Sequence, residues 1–311
     1  AYNGVKSIVM LFNVCALYIK IMNNENQTIH KSDDNLTIYG WNEKLNQLKQ
    51  ESIYSTLAHG RVSIVHRTCY EVISGNGLFQ CELTGNMMYG KSDDELPCTG
   101  DWVIFQPFDE HKGIIVDRLP RERTLYRKKS GTVADKQAIA SYVDKAFIVQ
   151  SLDDNFNVRR VERFMVQIME ENISSVLVLN KADLDFDRQS VEEQIKHISS
   201  QIPVFFTSIH QLETIVRLRK SISEGETVVF VGSSGVGKSS LVNALCEKPV
   251  LLTSDISLST GKGRHTSTRR EMVLMDSSGV LIDTPGVREF GLAIDNPDSL
   301  AEVLEISDYA E

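Results

Sequence analysis

The stretch VGSSGVGKSSLVNAL, residues 231–245, decides the fold. Residues 232–239 match the pattern G-x-x-x-x-G-K-[ST], follow the β-like run ETVVFVG (226–232) and open a run with helical spacing. A phosphate-binding loop needs that setting. Its glycines let the backbone wrap an anion while the first amides of the helix point at it. The phosphate-binding residues expected here are Gly232, Ser233, Ser234, Gly235, Val236, Gly237, Lys238, Ser239 and Ser240. Lys238 is placed to reach the β- and γ-phosphates, and Ser239 to ligate Mg2+.

Upstream, the strand-like run SVLVLN (175–180) leads into NKAD, which is Asn180, Lys181, Ala182 and Asp183. A carboxylate at Asp183 accepts hydrogen bonds from N1–H and N2–H2 of guanine, and adenine offers neither in that geometry. Asn180 is expected to buttress the loop and the stem of Lys181 to cover the base. Downstream, DTPG closes the run GVLIDTP (279–285) and is followed by Val287. Asp283 is expected to hold Mg2+ through water, and the Gly286 N–H to sense the γ-phosphate. Between these motifs lies GKGRHTSTRR (261–270), where a switch I segment belongs. Thr266, Ser267 and Thr268 offer hydroxyls to the metal, and the choice between Thr266 and Ser267 stays open. Three such motifs at strand ends specify GTP and GDP with Mg2+, and Asp183 argues against a P-loop ATPase.

The guanine motif precedes the phosphate loop, the reverse of the usual order. A circular permutation explains this without moving any residue in space, because chain ends within a domain often lie close together. The new cut falls just after the DTPG strand. Whatever follows residue 290 is then tethered to switch II, where γ-phosphate state can move it.

From residue 145 onward strand-like and helical runs alternate: KAFIVQS (145–151), NVRRVERFMVQIMEEN (157–172), SVLVLN, a helix near 188–200, PVFFTS (203–208), a helix near 211–222, and ETVVFVG. REMVLMD (270–276) and GVLIDTP then form a hairpin-linked pair. The pattern predicts an α/β P-loop NTPase domain, a circularly permuted GTPase, over residues 145–311, with helices on both faces of a mostly parallel sheet. Residues 58–119 carry five short β-like runs, GRVSIVHR, YEVIS, GLFQCELTG, DWVIFQP and GIIVDRL. Turn signals separate them, which predicts a small closed barrel. An OB-fold leads, with another small β-barrel as the alternative.

Residues 36–57 are read as a lead-in helix and residues 120–144 as a basic linker. RLPRERTLYRKK (118–129) holds six basic residues and one acidic one. It is either a solvated linker or an RNA-contacting segment. Residues 1–35 are set apart as an extension foreign to the fold or disordered. Their apolar run, 7–22, contains Asn13 and Lys20. It falls short of the ~20 apolar residues of a membrane span.

A net charge of −9 excludes a general polyanion binder, so nucleic-acid contact requires a local basic patch. Five scattered cysteines without a C-x-x-C pair argue for reduced, cytoplasmic thiols, against a disulfide framework and against a zinc ligand set.

The motif order, the barrel in front, GSSGVGKSS, GRHT (263–266), SLDDNFNVRRVERF (151–164) and VLVLNKADL (176–184) together resemble the small-ribosomal-subunit-dependent GTPase A family, RsgA. The resemblance covers residues 36–311. It implies GTP hydrolysis coupled to late maturation of the small (30S) ribosomal subunit, stimulated by that particle, with the OB-fold contacting 16S rRNA. It also implies His265 as the catalytic residue, in place of the glutamine that many GTPases carry just after DxxG. Two departures stand out. The sequence ends at ISDYAE (306–311) without the Cys/His zinc module that follows the GTPase domain in the family, so it is expected to be either a truncated or an incomplete copy, and HTST replaces His-Thr-Thr in switch I. A monomer without DNA or membrane partners is expected. The alternative function is a nucleotide-regulated RNA-binding module in which hydrolysis is incidental.

Overall fold

The computed structural model describes residues 35–88, 92, 94–128, 136–154, 156–251, 270–276 and 278–284. Residues 1–34 of the leading extension, His265, Thr266, Ser267, Thr268, Gly286 and Val287 lie outside the described residues.

Alternating side chains build the first unit. Strands β1 (Ala58–Val65), β2 (Tyr70–Ser74), β3 (Gly77–Leu83), β4 (Trp102–Asp109) and β5 (Lys112–Arg118) pair in the order β1-β2-β3-β5-β4. A further β1–β4 ladder closes the ring. In β3, Phe79 and Cys81 point inward while Gln80 and Glu82 face solvent, the period-2 pattern of a half-buried strand. Val62, Val72, Phe79, Cys81, Val103, Phe105 and Ile115 fill the interior. Each such side chain contributes about 1.5–3 kcal/mol by leaving water. The result is a closed five-stranded barrel of the OB kind.

The second unit is built on runs buried on both faces. TVVFV of β11 (Thr227–Val231) is buried at every position, as a central parallel strand requires. It lies between β8 (Lys145–Ser151) and β13 (Ser278–Asp283), parallel to both. The sheet continues outward through β9 (Ser174–Asn180) to β10 (Val204–Thr207) on one side, and to antiparallel β12 (Glu271–Met275) on the other. Helix α3 (Val158–Glu170) starts where the Asn157 side chain accepts from the Arg160 N–H at 3.0 Å. It turns Val161, Phe164, Met165 and Ile168 onto the sheet. It ends before Asn172, which takes the left-handed conformation at φ +56.

Three expectations change in detail. The lead-in helix, α1, spans Glu43–Glu51, behind a helical turn at 35–37. The helix near 188–200 is two short helices, Arg188–Gln194 and Lys196–Ser199, meeting at Ile195. Residues 120–144, read as a basic linker, instead hold an antiparallel pair of strands, β6 (Leu125–Lys128) and β7 (Lys136–Ala140). Arg121 there is no free cation. Its guanidinium forks onto Asp101, Nε to Oδ1 at 2.9 Å and Nη2 to Oδ2 at 2.6 Å, with the two side chains 7% and 0% exposed. A buried carboxylate demands such a partner, so Arg121 is withdrawn from solvent.

The two units share a seam. Barrel strand β1 pairs with β12 at Ile64↔Glu271, so one hydrogen-bonded sheet runs from barrel to nucleotide domain. Leu36, Trp41, Leu45, Trp102, Ile104, Leu119 and Tyr142 pack a further cluster that joins the lead-in segment to the barrel. Beside it the buried guanidinium of Arg61 ties the barrel to β11, donating to Gly100 O and Thr227 Oγ1, both at 2.9 Å, and to Tyr39 O. It also lies over the Trp102 ring, 5.5 Å from the centroid. Among the described residues no helix is long and apolar enough to cross a membrane.

Candidate functional site

Parallel strands deliver their C-terminal ends to one edge of a sheet, where ligands of open α/β folds bind. Here that edge receives the ends of β8, β9, β10, β11 and β13, and with them all the strand-end motifs. Register fixes the neighbours: Ser151 lies beside Asn180, Asn180 beside Thr207, and Phe230 beside Asp283.

The phosphate loop leaves β11 and enters helix α7 (Lys238–Leu245) through Gly237. Gly237 sits at φ +94, where glycine is at ease, and a Cβ there would lie 2.3 Å from Asn180 Nδ2, so any side chain must displace Asn180. Lys238 is buried inside the loop, where Nζ donates to Gly232 O at 2.9 Å and Ser233 O at 2.8 Å. Burial lowers its pKa from the ordinary lysine value, and the nearby Asp283 opposes that shift. A cation held at the mouth of a helix N-terminus, among inward amides, suits a polyphosphate.

Asn180 ties the guanine motif to this loop. Its Nδ2 donates to Val236 O at 2.8 Å, and its Oδ1 accepts from Thr207 Oγ1 at 3.3 Å. Lys181 follows in the left-handed conformation, φ +62, and its Nζ meets Asp153 Oδ2 at 2.8 Å. The Ala182 N–H bonds Thr207 O at 3.0 Å. Asp183 is exposed, and a hydrogen bond from the Ser208 hydroxyl holds its carboxyl below the usual range. It is therefore an anion at neutral pH, ready to accept from N–H groups.

Asp283 ends β13 almost wholly buried. Its Oδ2 accepts from Ser239 Oγ at 2.9 Å, while Oδ1 has no hydrogen-bond partner among the described residues. Burial raises its pKa. An orphaned carboxylate oxygen beside a hydroxyl is an all-oxygen donor set, the chemistry that hard Mg2+ accepts. Ser239 and Asp283 thus fit such an ion.

Asn180, Lys181, Ala182, Asp183, the loop 232–240 and Asp283 are accordingly brought to one sheet edge. His265, Thr266, Ser267 and Gly286 fall outside the described residues. Sequence reasoning passed over Asp153, Thr207 and Ser208. A usable signal existed: SLDD follows the strand at 145–151 and TS closes the strand at 203–208, both at the ligand-bearing edge.

A family model described as RsgA GTPase matches residues 118–293. Among curated proteins, small ribosomal subunit biogenesis GTPase RsgA 1 of Bacteroides thetaiotaomicron is 73% identical over 290 residues, covering 93% of this chain and 80% of that protein. RsgA of Methanosarcina acetivorans is 36% identical over 300 residues, covering 93% and 79%. Among solved structures, YjeQ from Thermotoga maritima aligns with a TM-score of 0.55 at 25% identity over 74% of each chain. YloQ, described as a circularly permuted GTPase, aligns at 0.56 and 19% identity, covering 82% of this chain and 80% of its own; that likeness bears on the fold.

Proposed function

The chain belongs to the RsgA GTPase family, and from that premise we propose that it hydrolyses GTP to GDP and phosphate in step with late maturation of the small ribosomal subunit. The observation that carries the reading is the bond from Asn180 Nδ2 to Val236 O. It fastens the base-reading motif to the phosphate loop, so one guanine nucleotide spans both. The name of the 73% identical relative, a small ribosomal subunit biogenesis GTPase, supports the particle as partner.

The roles follow from position and charge. Asp183 accepts from the guanine edge. The amides of residues 232–240 cradle the phosphates, and Lys238 gives up its bonds to Gly232 O and Ser233 O to reach phosphate oxygens. Ser239, and Asp283 through water, would hold Mg2+, which when bound would neutralise charge on the phosphates. Switch I adds a hydroxyl from Thr266 or Ser267, and the Gly286 N–H reports the γ-phosphate. Val287 stands where many GTPases place a water-orienting glutamine, and a hydrocarbon cannot do that work. His265 takes the role, since an imidazole titrating near neutrality can orient and polarise a water. The barrel and the basic residues of 118–129 other than Arg121 contact 16S rRNA. GTP favours the docked state and hydrolysis favours release.

Two measurements test this. Particle affinity is compared with GTP, GDP and no nucleotide; equal affinities sink the switch. His265→Ala should bind GTP normally and lose particle-stimulated turnover, and unchanged turnover removes His265 from the mechanism. Salt titration adds a check on the RNA contact, because phosphate contacts make affinity fall steeply with salt.

A further inference from the structure

Lys181 belongs to the base-binding motif, yet its ammonium is committed to a residue outside all four nucleotide motifs. Its Nζ lies 2.8 Å from Asp153 Oδ2. That carboxylate is itself fixed, since Oδ1 accepts from Ser151 Oγ at 2.7 Å. The local backbone is fixed as well. Leu152 N–H bonds Asn180 O, and Phe156 N–H bonds Asp153 O, both at 2.9 Å. Ser151 pairs in register with Asn180, so the segment carrying Asp153 runs alongside the guanine motif from its first residue. The side chains of Lys181 and Asp153 are 35% and 24% exposed, enough shelter for their attraction to survive ordinary salt.

From this geometry we propose that Asp153 is a positioning residue of the guanine site, holding Lys181 extended so that its aliphatic stem forms one wall for the base. The proposal rests on the reading of residues 180–183 as the base site. An unanchored lysine samples many rotamers, and a nucleotide that needs one of them must bear the cost of ordering it. The Ser151–Asp153–Lys181 chain removes that cost before the nucleotide arrives. The left-handed backbone at Lys181 and the register of two parallel strands serve the same end.

The consequence is specific. A wall formed by a lysine stem touches the face of the purine, not its exocyclic amine. Loss of Asp153 should therefore weaken guanine and hypoxanthine nucleotides equally. Discrimination between them stays with Asp183. The contact is the same in ground and transition states, so KM rises and kcat holds.

The test measures dissociation constants for GDP and IDP, and kcat and KM for GTP, in wild type, Asp153→Asn, Asp153→Glu, Lys181→Ala and the Asp153→Asn/Lys181→Ala double variant. Asp153→Asn is expected to weaken GDP and IDP by the same factor, about tenfold, equivalent to ~1.4 kcal/mol. The GDP:IDP ratio and kcat should not change, and Asp153→Glu should recover most of the loss. In the Lys181→Ala background the Asp153 substitution should add nothing. Unchanged affinity in Asp153→Asn overturns the proposal. So does a loss that persists without Lys181, which marks a structural role. A changed GDP:IDP ratio overturns it too, by making Asp153 a reader of the base. If wild type shows no preference for GDP over ADP, the base-site reading fails first and takes this proposal with it.

Discussion

Gly237→Ala tests the joint between the guanine motif and the phosphate loop, and Gly235→Ala is its control. Both glycines have positive φ, +94 and +83. An alanine at either position bears the left-handed penalty, roughly 1–2 kcal/mol. They differ in surroundings. A Cβ at 235 meets nothing within 4 Å, whereas one at 237 comes 2.3 Å from Asn180 Nδ2. Asn180 must then swing away and release its buried bond to Val236 O. Leaving a buried donor and acceptor unpaired costs about 1–3 kcal/mol. The difference between the variants, free of the shared backbone penalty, should equal that amount. Thermal unfolding without nucleotide is the assay, since bound phosphate would add its own effects. At ~2–4 °C per kcal/mol for a domain of this size, Gly237→Ala should melt roughly 2–12 °C below Gly235→Ala. Equal midpoints would refute the claim that Asn180 and the loop are mechanically joined.

Other outcomes follow from the same geometry. Arg61→Met keeps the stem but removes donors to Gly100 O, Tyr39 O and Thr227 Oγ1; it should cost about 2 kcal/mol or more and split calorimetric unfolding into separate barrel and nucleotide-domain transitions. A single unchanged transition would count against Arg61 as the seam's anchor. Asp183→Asn replaces an acceptor with a donor and should lower GTP affinity on the order of a hundredfold or more while admitting xanthosine triphosphate, measured by competition binding. Ser208→Ala removes the hydroxyl that holds the Asp183 carboxyl low. Binding needs the anion and is lost as pH falls through its pKa, so the acid limb of GDP binding should move to higher pH with no change at pH 7; an unmoved limb would discount the Ser208 bond.

Local patterns carried much of this molecule. Period-2 burial in β3, continuous burial in β11 and 3.6-residue spacing in α3 each reflect one element meeting one core, and each is legible in a short window. The nucleotide motifs were legible for a similar reason, since phosphate and guanine recognition constrain adjacent residues. What escaped depends on contacts distant in sequence. Arg121 sits in a basic run and reads as a surface cation until Asp101, on a neighbouring element, claims it. Arg61 alternates like any barrel residue, but its partners lie on four other segments. Thr207, Ser208 and Asp153 lie outside the nucleotide motifs, and the register of parallel strands brings their segments beside Asn180 and Lys181.

The central claim is that this site hydrolyses GTP in response to the small ribosomal subunit. The direct measurement is steady-state phosphate release from GTP, made side by side with no particle, with purified 30S subunits and with 50S subunits at equal concentration. Slow turnover alone, a large rise with 30S and none with 50S is the expected result. Turnover indifferent to 30S subunits, in protein that binds GTP, would contradict the account.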